Sequence, residues 1–332
     1  MFPLHKNINI FFNYILSPLL GAWLFYSLYR QVKGQPHLYD SIDMIKQSSV
    51  GDEAWKFWTV MVLVFINWGI EARKWQLLVR SLQPINLFVA FKSVLAGVTL
   101  SINTPNRMGE YAARILFVKE GNRIKAISLS IVGSMSQLII TLLMGCGGLI
   151  YIIVTKQASV NSVMGLSFFW IKTLLFLAAL AAGILMLLYF KLSWMVKIIE
   201  KIPPFLKYAH YISVLEEFHA KVLLRLLSLS LVRYLVFVIQ YILLLQVLSV
   251  EISWIQGFWI ISILFLVLAI IPSFAIADLG IRGKFSTELL TLYSANTIGI
   301  IGTTFGIWFI NLFIPALAGS ILILGIKIFK EK

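Results

Sequence analysis

Long runs without a charged residue dominate the hydrophobic pattern of this chain. The longest covers 289–326, which contains no Asp, Glu, Lys, Arg or His. Further charge-free runs cover 126–155, 173–190 and 252–277. A helix needs roughly 20 apolar residues to cross a bilayer. The pattern therefore predicts an all-α polytopic membrane protein.

Six runs fit full crossings of the membrane. They are 8–29, 57–79, 126–155, 166–190, 226–249 and 294–326. The first run is too long for the apolar part of a signal peptide, so we interpret it as a retained span. Two more apolar segments, 86–102 and 254–293, are interrupted by polar residues, which gives eight hydrophobic segments in a single membrane domain, 1–332.

The composition agrees with a membrane protein and limits the chemistry. Apolar residues make up 60% of the chain and charged residues 13%. Soluble domains average about 45–50% apolar residues. Cys146 is the only cysteine, which excludes an intrachain disulfide and a cysteine-based metal cluster. We therefore predict neither a metal nor a cofactor.

The basic residues are distributed as in a membrane protein, although the net charge of +14 alone would also suit nucleic acid. If the N-terminus is cytoplasmic, the inner segments are 1–7, 71–125, 191–233 and 327–332, and they hold 20 of the 28 Lys and Arg residues. This bias follows the positive-inside rule. It predicts a multi-pass protein of the plasma (inner) membrane with both termini in the cytoplasm, and no nucleic-acid partner.

The first interrupted segment predicts a re-entrant helical hairpin. Asn86–Ile102 ends in Asn103-Thr104-Pro105-Asn106, a helix stop followed by a helix start. Arg80 before the segment and Arg107 after it both favour the inner face. We expect the chain to enter from the cytoplasm and return, with its irregular backbone buried in protein or lining a polar cavity.

The second interrupted segment, Trp254–Tyr293, repeats this arrangement from the opposite side. The separation from Leu82 to Pro105 differs by a single position from that between Leu248 and Pro272. Each proline is followed by an acid and an arginine one helical turn apart, a spacing that stacks side chains on one helix face. Because each half holds three crossings, this predicts an inverted-topology repeat, as in many secondary transporters. Its halves are 1–160 and 161–332.

Nine polar residues are candidates for substrate binding. They are Asn67, Glu71, Asn103, Arg107, Glu110 and Arg114 in the first half, and Asp278, Arg282 and Lys284 in the second. A helix that starts after Pro105, capped by Asn103, Thr104 or Asn106, would aim free N–H groups into the membrane, which suits a phosphate. Placing a carboxylate at membrane depth costs free energy, so a carboxylate found there usually has a function.

These residues also have structural interpretations. Arg107 and Arg114 could snorkel to the inner headgroups, with Glu110 pairing to one of them. Asp278 and Arg282 could close a turn as an interfacial ion pair. Asn67 could form a helix–helix hydrogen bond, and Glu71 could belong to an interfacial charge belt with Arg73 and Lys74.

Two stretches give the chain a family resemblance. The first stretch comprises Asn67-Trp68 and Pro105-Asn106-Arg107-Met108-Gly109-Glu110 with Arg114. The second runs from Ile271-Pro272-Ser273-Phe274 through Asp278-Leu279-Gly280-Ile281-Arg282-Gly283. Both stretches resemble the membrane domain of lysylphosphatidylglycerol synthases. The resemblance implies a flippase-like domain that moves an aminoacylated phospholipid between leaflets. Asn106 and Ala277-Asp278 stand where glycines are common in the family. The resemblance therefore does not identify which lipid is moved.

The resemblance also sets expectations about activity and partners. The soluble transferase domain of the synthases has no counterpart before Lys332, so the transferase activity is not expected here. The implied partners are membrane phospholipid, a separate lipid-modifying enzyme and a second copy in a homodimer. The sequence shows no glycine-rich phosphate loop, paired-histidine metal motif or nucleophile elbow, so we do not expect an enzyme.

The leading hypothesis is a flippase for an anionic or aminoacylated phospholipid, or for a polyprenyl-phosphate-linked lipid. Arg107 and Arg114 would hold the phosphate from inside, and Arg282 and Lys284 from outside. Glu110 and Asp278 would orient these cations or contact a cationic headgroup. Two alternatives stay open: a membrane transferase with Glu110 or Asp278 as general base, and a secondary transporter of solutes or ions.

Overall fold

The computed structural model describes residues 54–102, 104, 108–156, 162–201, 209–271 and 275–324, with the single positions 26, 43, 50 and 51. The described helices are α1 (Ala54–Val79), α2 (Leu87–Ile102), α3 (Gly109–Arg114), α4 (Arg123–Lys156), α5 (Phe168–Phe190), α6 (Leu192–Glu200), α7 (Ala209–Ile212), α8 (Ala220–Val247), α9 (Trp254–Ile270), α10 (Ala275–Leu290), α11 (Thr297–Trp308) and α12 (Ile314–Leu324). Strands β1 (Ser162–Val163) and β2 (Leu166–Ser167) form a short antiparallel hairpin before α5.

Four helical stretches of the described part are long and apolar enough to cross a membrane: Glu120–Lys156, Phe168–Phe190, Ala220–Val247 and Thr297–Ile323. They match the last four predicted crossings. Helix α1 matches the predicted crossing 57–79 and has 26 residues, about 39 Å at 1.5 Å per residue. The predicted crossing 8–29 lies outside the described residues, apart from Tyr26. The prediction of an all-α, multi-pass membrane protein is confirmed.

Helix α5 shows why the surroundings of this protein must be lipid. Its large side chains Phe176, Leu180 and Leu187 are exposed and lie along one face of the helix. Only a narrow edge that includes Ala178 and Ala182 is buried. A helix that is apolar all round and mostly uncovered is stable in hydrocarbon and aggregates in water.

Helices α2 and α3 form an antiparallel hairpin. The Ser93 hydroxyl donates to the Arg114 carbonyl at 3.1 Å. At the other end, Gly109 lies so close to the Leu100 carbonyl that a Cβ there would approach within 2.3 Å. Glycine is therefore required where the returning helix meets the first one.

Side-chain amides join the two ends of this hairpin, where the chain enters α2 and where it leaves α3. Asn122, just before α4, donates from Nδ2 to the Leu82 carbonyl at 3.2 Å. Gln83 accepts from the Lys119 N–H at 2.9 Å. The chain therefore leaves the hairpin next to the point where it enters it. Pro105, at the predicted bend, lies outside the described residues.

Helices α9 and α10 form a second hairpin with the same kind of closure. A capping box between Ser253 and Gln256 starts α9. Asn296 donates from Nδ2 to the carbonyls of Leu248 and Ser249, both at 3.0 Å. Its Oδ1 accepts from Gly299 N–H at 2.9 Å and so caps α11. The entry and exit of this hairpin are thereby held together, while Pro272 lies outside the described residues.

In the core, helices from the first half of the chain pack against helices from the second half. Helix α1 packs along α8, α4 packs on α9, and α12 packs on α2. Glycines allow close approach at the last two interfaces: a Cβ on Gly145 would lie 2.6 Å from Leu266 Cβ, and one on Gly319 would lie 2.2 Å from the Leu95 carbonyl. Small residues are the usual device for bringing membrane helices together.

The last span is not a continuous α-helix. A π-helical turn, Phe309–Phe313, separates α11 from α12. Pro315 follows it and has no N–H to donate to the Asn311 carbonyl, so the regular ladder is interrupted there. Such turns are frequent at functional sites, and this one presents Asn311 to the core.

Replacement of Gly319 tests the close contact between α12 and α2. Gly319→Ala is expected to lower stability by about 1–3 kcal/mol, because the new methyl group overlaps backbone and must separate the helices. The matched variant Gly183→Ala on α5 meets no atom within 4 Å and should be neutral or slightly stabilising. Thermal unfolding in detergent measures both, and equal midpoints would contradict the packing.

Candidate functional site

The centre of the site is Glu71, a buried carboxylate on α1. Its Oε1 lies 2.8 Å from Arg114 Nη2, on the hairpin helix α3. Its Oε2 lies 3.4 Å from Arg233 Nη1 on α8 and 3.6 Å from Lys74 Nζ on its own helix. One carboxylate thus joins three helices from both halves of the chain.

Glu110 completes this charge cluster. It forms an ion pair with Arg114 one helical turn away, as the spacing in the sequence predicted. The cluster, defined as Glu71, Lys74, Glu110, Arg114 and Arg233, holds three cations and two carboxylates. Its formal net charge is therefore +1. Buried charges must be paired or used, and the unmatched charge here is positive.

Aromatic rings and a carbonyl support the cations of the cluster. The Arg114 guanidinium lies over the Trp75 ring at 5.5 Å, and that of Arg233 over the Trp68 ring at 5.5 Å. Lys74 donates to the Gly133 carbonyl on α4 at 3.1 Å. These contacts partly replace the water that the cations lose on burial, and they hold the cluster in one arrangement.

A polar cavity of about 300 Å³ adjoins the cluster. Polar residues in its lining include Glu71, Lys74, Glu110, Ser134, Gln137 and Arg233. Glu110 is the carboxylate most open to it, with 26% of its side chain exposed, against 8% for Glu71. The Tyr111 hydroxyl lies 3.0 Å from that of Ser134 across the wall. The cavity has the size of a small-molecule or headgroup site.

A second, smaller cavity of about 40 Å³ lies on another side of Arg233. Its lining contains Arg233, Arg282, Trp68, Trp308 and Asn311. Arg233 and Trp68 therefore line both cavities. Because Arg233 is the fourteenth residue of the 28-residue helix α8, it lies near the middle of that span.

The structure brings most of the described candidates to these cavities. Glu71, Glu110 and Arg114 form the cluster, and Arg282 lines the smaller cavity. Asn67 is fully buried and donates to Asn311 Oδ1 at 3.2 Å, which confirms the interpretation as a helix–helix hydrogen bond.

The remaining candidates divide into two groups. Lys284 lies 4.0 Å from Glu288 with 69% of its side chain exposed, so it is not part of the cluster. Asn103, Arg107 and the side chain of Asp278 lie outside the described residues.

The predicted phosphate site at the start of the returning helix has a different geometry in the structure. Helix α3 begins at Gly109 and has only six residues. The Thr104 hydroxyl accepts from the Gly109 N–H at 2.8 Å, while the N-cap position of α3 is Met108, which makes no side-chain cap. A helix this short has a weak dipole, and its first donor is already occupied.

Two cluster residues were missed by the sequence reasoning. The sequence pattern predicts Lys74 in an interfacial charge belt and Arg233 in the inner segment 191–233, at the start of the span 226–249. Helix α8 begins earlier, at Ala220, which moves Arg233 to mid-span. The available signal was an arginine inside a long apolar stretch, because such residues are rare at that depth without a function.

Among the described residues, no three His, Cys, Asp or Glu side chains come together in a group that could hold a metal ion.

The geometry defines a polytopic helical membrane protein with a buried cluster of charged residues beside a polar cavity. The family model for the lysylphosphatidylglycerol synthase TM region matches residues 14–320, and the chain belongs to this family. No curated protein sequence matches the chain.

Neutralising the central carboxylate tests the cluster. Glu71→Gln leaves three buried cations with one carboxylate and is expected to destabilise the protein by about 3–5 kcal/mol. The control Glu120→Gln removes a 4.0 Å pair at the surface and should change stability by less than about 1 kcal/mol. Alkylation of the buried thiol of Cys146, the only cysteine, reports unfolding in both variants. Equal midpoints would show that Glu71 does not hold the helices together.

Proposed function

We propose that this protein moves a lipid with an anionic headgroup between the leaflets of the plasma (inner) membrane, and that the headgroup occupies the cavity beside Glu71. The observation that carries the proposal is a buried cluster with a net charge of +1 facing a polar cavity of about 300 Å³. A phosphate supplies the missing negative charge and accepts from Lys74 and Arg233. Family membership supports a role in lipid handling.

A correspondence between the halves supports a two-sided mechanism. The separation along the chain from Asn67 to Leu82 equals that from Arg233 to Leu248. Both polar residues donate to an amide oxygen in the other half: Asn67 to that of Asn311 at 3.2 Å, and Arg233 to that of Gln137 at 3.3 Å. These are equivalent bonds if the halves are related by a two-fold axis.

The third span of each half supports the same relation. Gln137 and Asn311 follow the asparagines that close the two hairpins at identical separations along the chain. Gly145 and Gly319 also follow those asparagines at identical separations, and both are the glycines at which these spans meet the opposite hairpin. We infer an inverted repeat with halves 1–160 and 161–332, which is the build of many secondary transporters.

The two cavities are counterparts under this correspondence. Ser134 and Gln137 in the larger cavity correspond to Trp308 and Asn311 in the smaller one. The larger side chain of Trp308 occupies space that Ser134 leaves open, which accounts for part of the difference between 300 and 40 Å³. We infer a conformation in which one headgroup site is open and its counterpart is closed.

We infer the class of lipid from Glu110, the more exposed carboxylate of the cluster, together with the cations Lys74 and Arg233. Glu110 faces the cavity and can accept from the amine of an aminoacylated headgroup, while the cations bind its phosphate. An aminoacylated or plain anionic phospholipid fits this combination. The proposal includes a separate enzyme that makes the modified lipid, and a homodimer as the assembly, while this chain itself performs no covalent step.

The proposed topology is tested by labelling single cysteines in a Cys146→Ser background. Ser81 and Gly121 flank the first hairpin, and Ser249 and Ala295 flank the second; all four are exposed. Two re-entrant hairpins predict that the first pair reacts with a membrane-impermeant thiol reagent only from the cytoplasm, and the second pair only from outside. Reaction of the two members of a pair from opposite sides would mean that the segment crosses the membrane.

Transport is tested with Arg233→Gln in liposomes containing fluorescent phosphatidylglycerol. The variant keeps a side-chain donor for Gln137 and makes the cluster electrically neutral, so folding should be retained. Loss of a charged hydrogen bond of about 1.5–3 kcal/mol predicts a roughly 10- to 100-fold slower exchange between leaflets.

The control for this experiment is Arg225→Gln, which removes an exposed cation from the same helix and should exchange lipid at the wild-type rate. Unchanged exchange in Arg233→Gln would remove the cluster from the pathway. Wild-type liposomes that produce a covalently altered lipid, detected by mass spectrometry, would favour the transferase alternative instead.

A further inference from the structure

One face of α4 is exposed beside the larger cavity. Ile131, Ser134 and Leu138 follow one another at one-turn intervals on this face. Ile131 is 41% exposed and Leu138 is 38% exposed, and Ser134 between them is exposed as well. Ser134 and Leu138 also line the cavity. Because large apolar side chains flank this edge of the cavity, we infer that it borders lipid rather than water.

The lengths of the neighbouring helices explain why this face is uncovered. Helix α9 covers the C-terminal part of α4, where Leu266 lies against Gly145, and it ends at Ile270. Helix α3 faces the N-terminal part, but it has six residues and packs mainly on α2. The hydroxyl groups of Tyr111 and Ser134 lie 3.0 Å apart across the cleft between α3 and α4.

The same positions are covered in the second half of the proposed inverted repeat. Counted from the asparagines that close the two hairpins, the counterparts of the exposed α4 residues are Phe305, Trp308 and Leu312. All three are buried. Tyr111 corresponds to Leu279, which is buried too. Helix α10 packs along α11, so the second half has no comparable cleft among the residues that the structure describes.

We propose that a lipid headgroup passes sideways between the bilayer and the larger cavity through the cleft between α3 and α4. This lateral opening is bordered by Tyr111, Ile131, Ser134 and Leu138. The acyl chains stay in the membrane during the passage, and the hydrogen bond between Tyr111 and Ser134 breaks to admit the headgroup. The inference rests on the proposed function, because it assigns the entrance of the same headgroup site.

Ser134→Trp tests the entrance, because it gives the first half the residue that stands in the closed counterpart. Liposomes contain phosphatidylglycerol with a photoreactive diazirine on its headgroup, and mass spectrometry measures labelling of Glu110 in the cavity. Labelling should fall roughly tenfold or more in the variant, because the indole overlaps the path of the headgroup. The control Ile150→Trp adds an indole at a 51% exposed position of α4 outside the cavity lining, and should keep wild-type labelling.

A second variant adds the bulk only after the protein has folded. Ser134→Cys in the Cys146→Ser background is purified and then modified with benzyl methanethiosulfonate, which attaches a benzyl group through a disulfide. Labelling of Glu110 should fall on modification and return when a reductant removes the group. Ile150→Cys in the same background, treated in the same way, should be labelled at the wild-type level throughout.

Tyr111→Phe removes the hydrogen bond across the lateral opening without filling it. Loss of one neutral hydrogen bond predicts roughly two- to tenfold faster exchange of fluorescent phosphatidylglycerol between leaflets. An unchanged rate would show that this bond does not hold the opening closed.

The labelling outcomes separate the entrance from the transport function. Wild-type labelling in Ser134→Trp, or in the modified Ser134→Cys protein, would overturn the lateral opening. Labelling of Glu110 in a wild-type protein that exchanges no lipid would refute transport and leave the entrance in place. If Glu110 of the wild-type protein is not labelled, the headgroup does not occupy the cavity and both proposals are wrong.

Discussion

The pairing of Glu71 with three cations is the interaction on which the rest of the structure depends. A single buried carboxylate meets charges from its own helix, from the first hairpin and from α8 of the other half. Removing charges from water costs several kcal/mol each, and only good geometry offsets that cost. Apolar packing alone does not favour helix association in lipid, because the tails are as apolar as the helix faces. The cluster therefore selects which helices meet and also leaves a positive charge beside the cavity.

Close packing and the polar cluster constrain each other. Gly145 and Gly319 let α4 and α12 touch the hairpins of the opposite half, and this contact fixes where the side chains of the second and third spans lie. The bonds from Asn67 to Asn311 and from Arg233 to Gln137 form only at that separation. In the proposed inverted repeat, equivalent positions carry different side chains: Ser134 corresponds to the larger Trp308, and the neutral Asn67 corresponds to the charged Arg233.

The sequence predicted the elements whose signal is local. Long uninterrupted apolar runs can only be helices in lipid, so α4, α5, α8 and the last span could be predicted. The Glu110–Arg114 pair followed from helix geometry. The Glu71–Arg233 pair could not be predicted, because its residues meet only when α1 packs along α8, and one helix does not encode its neighbour. Lys284 shared the sequence pattern of the buried cations but lies on an exposed face.

The exposure of helix α5 determines which of its positions can tolerate substitution. Few of its residues are buried inside the protein, so most of its side chains face outward, toward the acyl tails. Lipid is a fluid that adapts to any apolar outline, whereas the interior of the bundle is close-packed and does not. Most positions on α5 therefore accept exchange among leucine, isoleucine, valine and phenylalanine, and sequence drift should accumulate there. The glycine-lined faces of α4 and α12 have no such freedom.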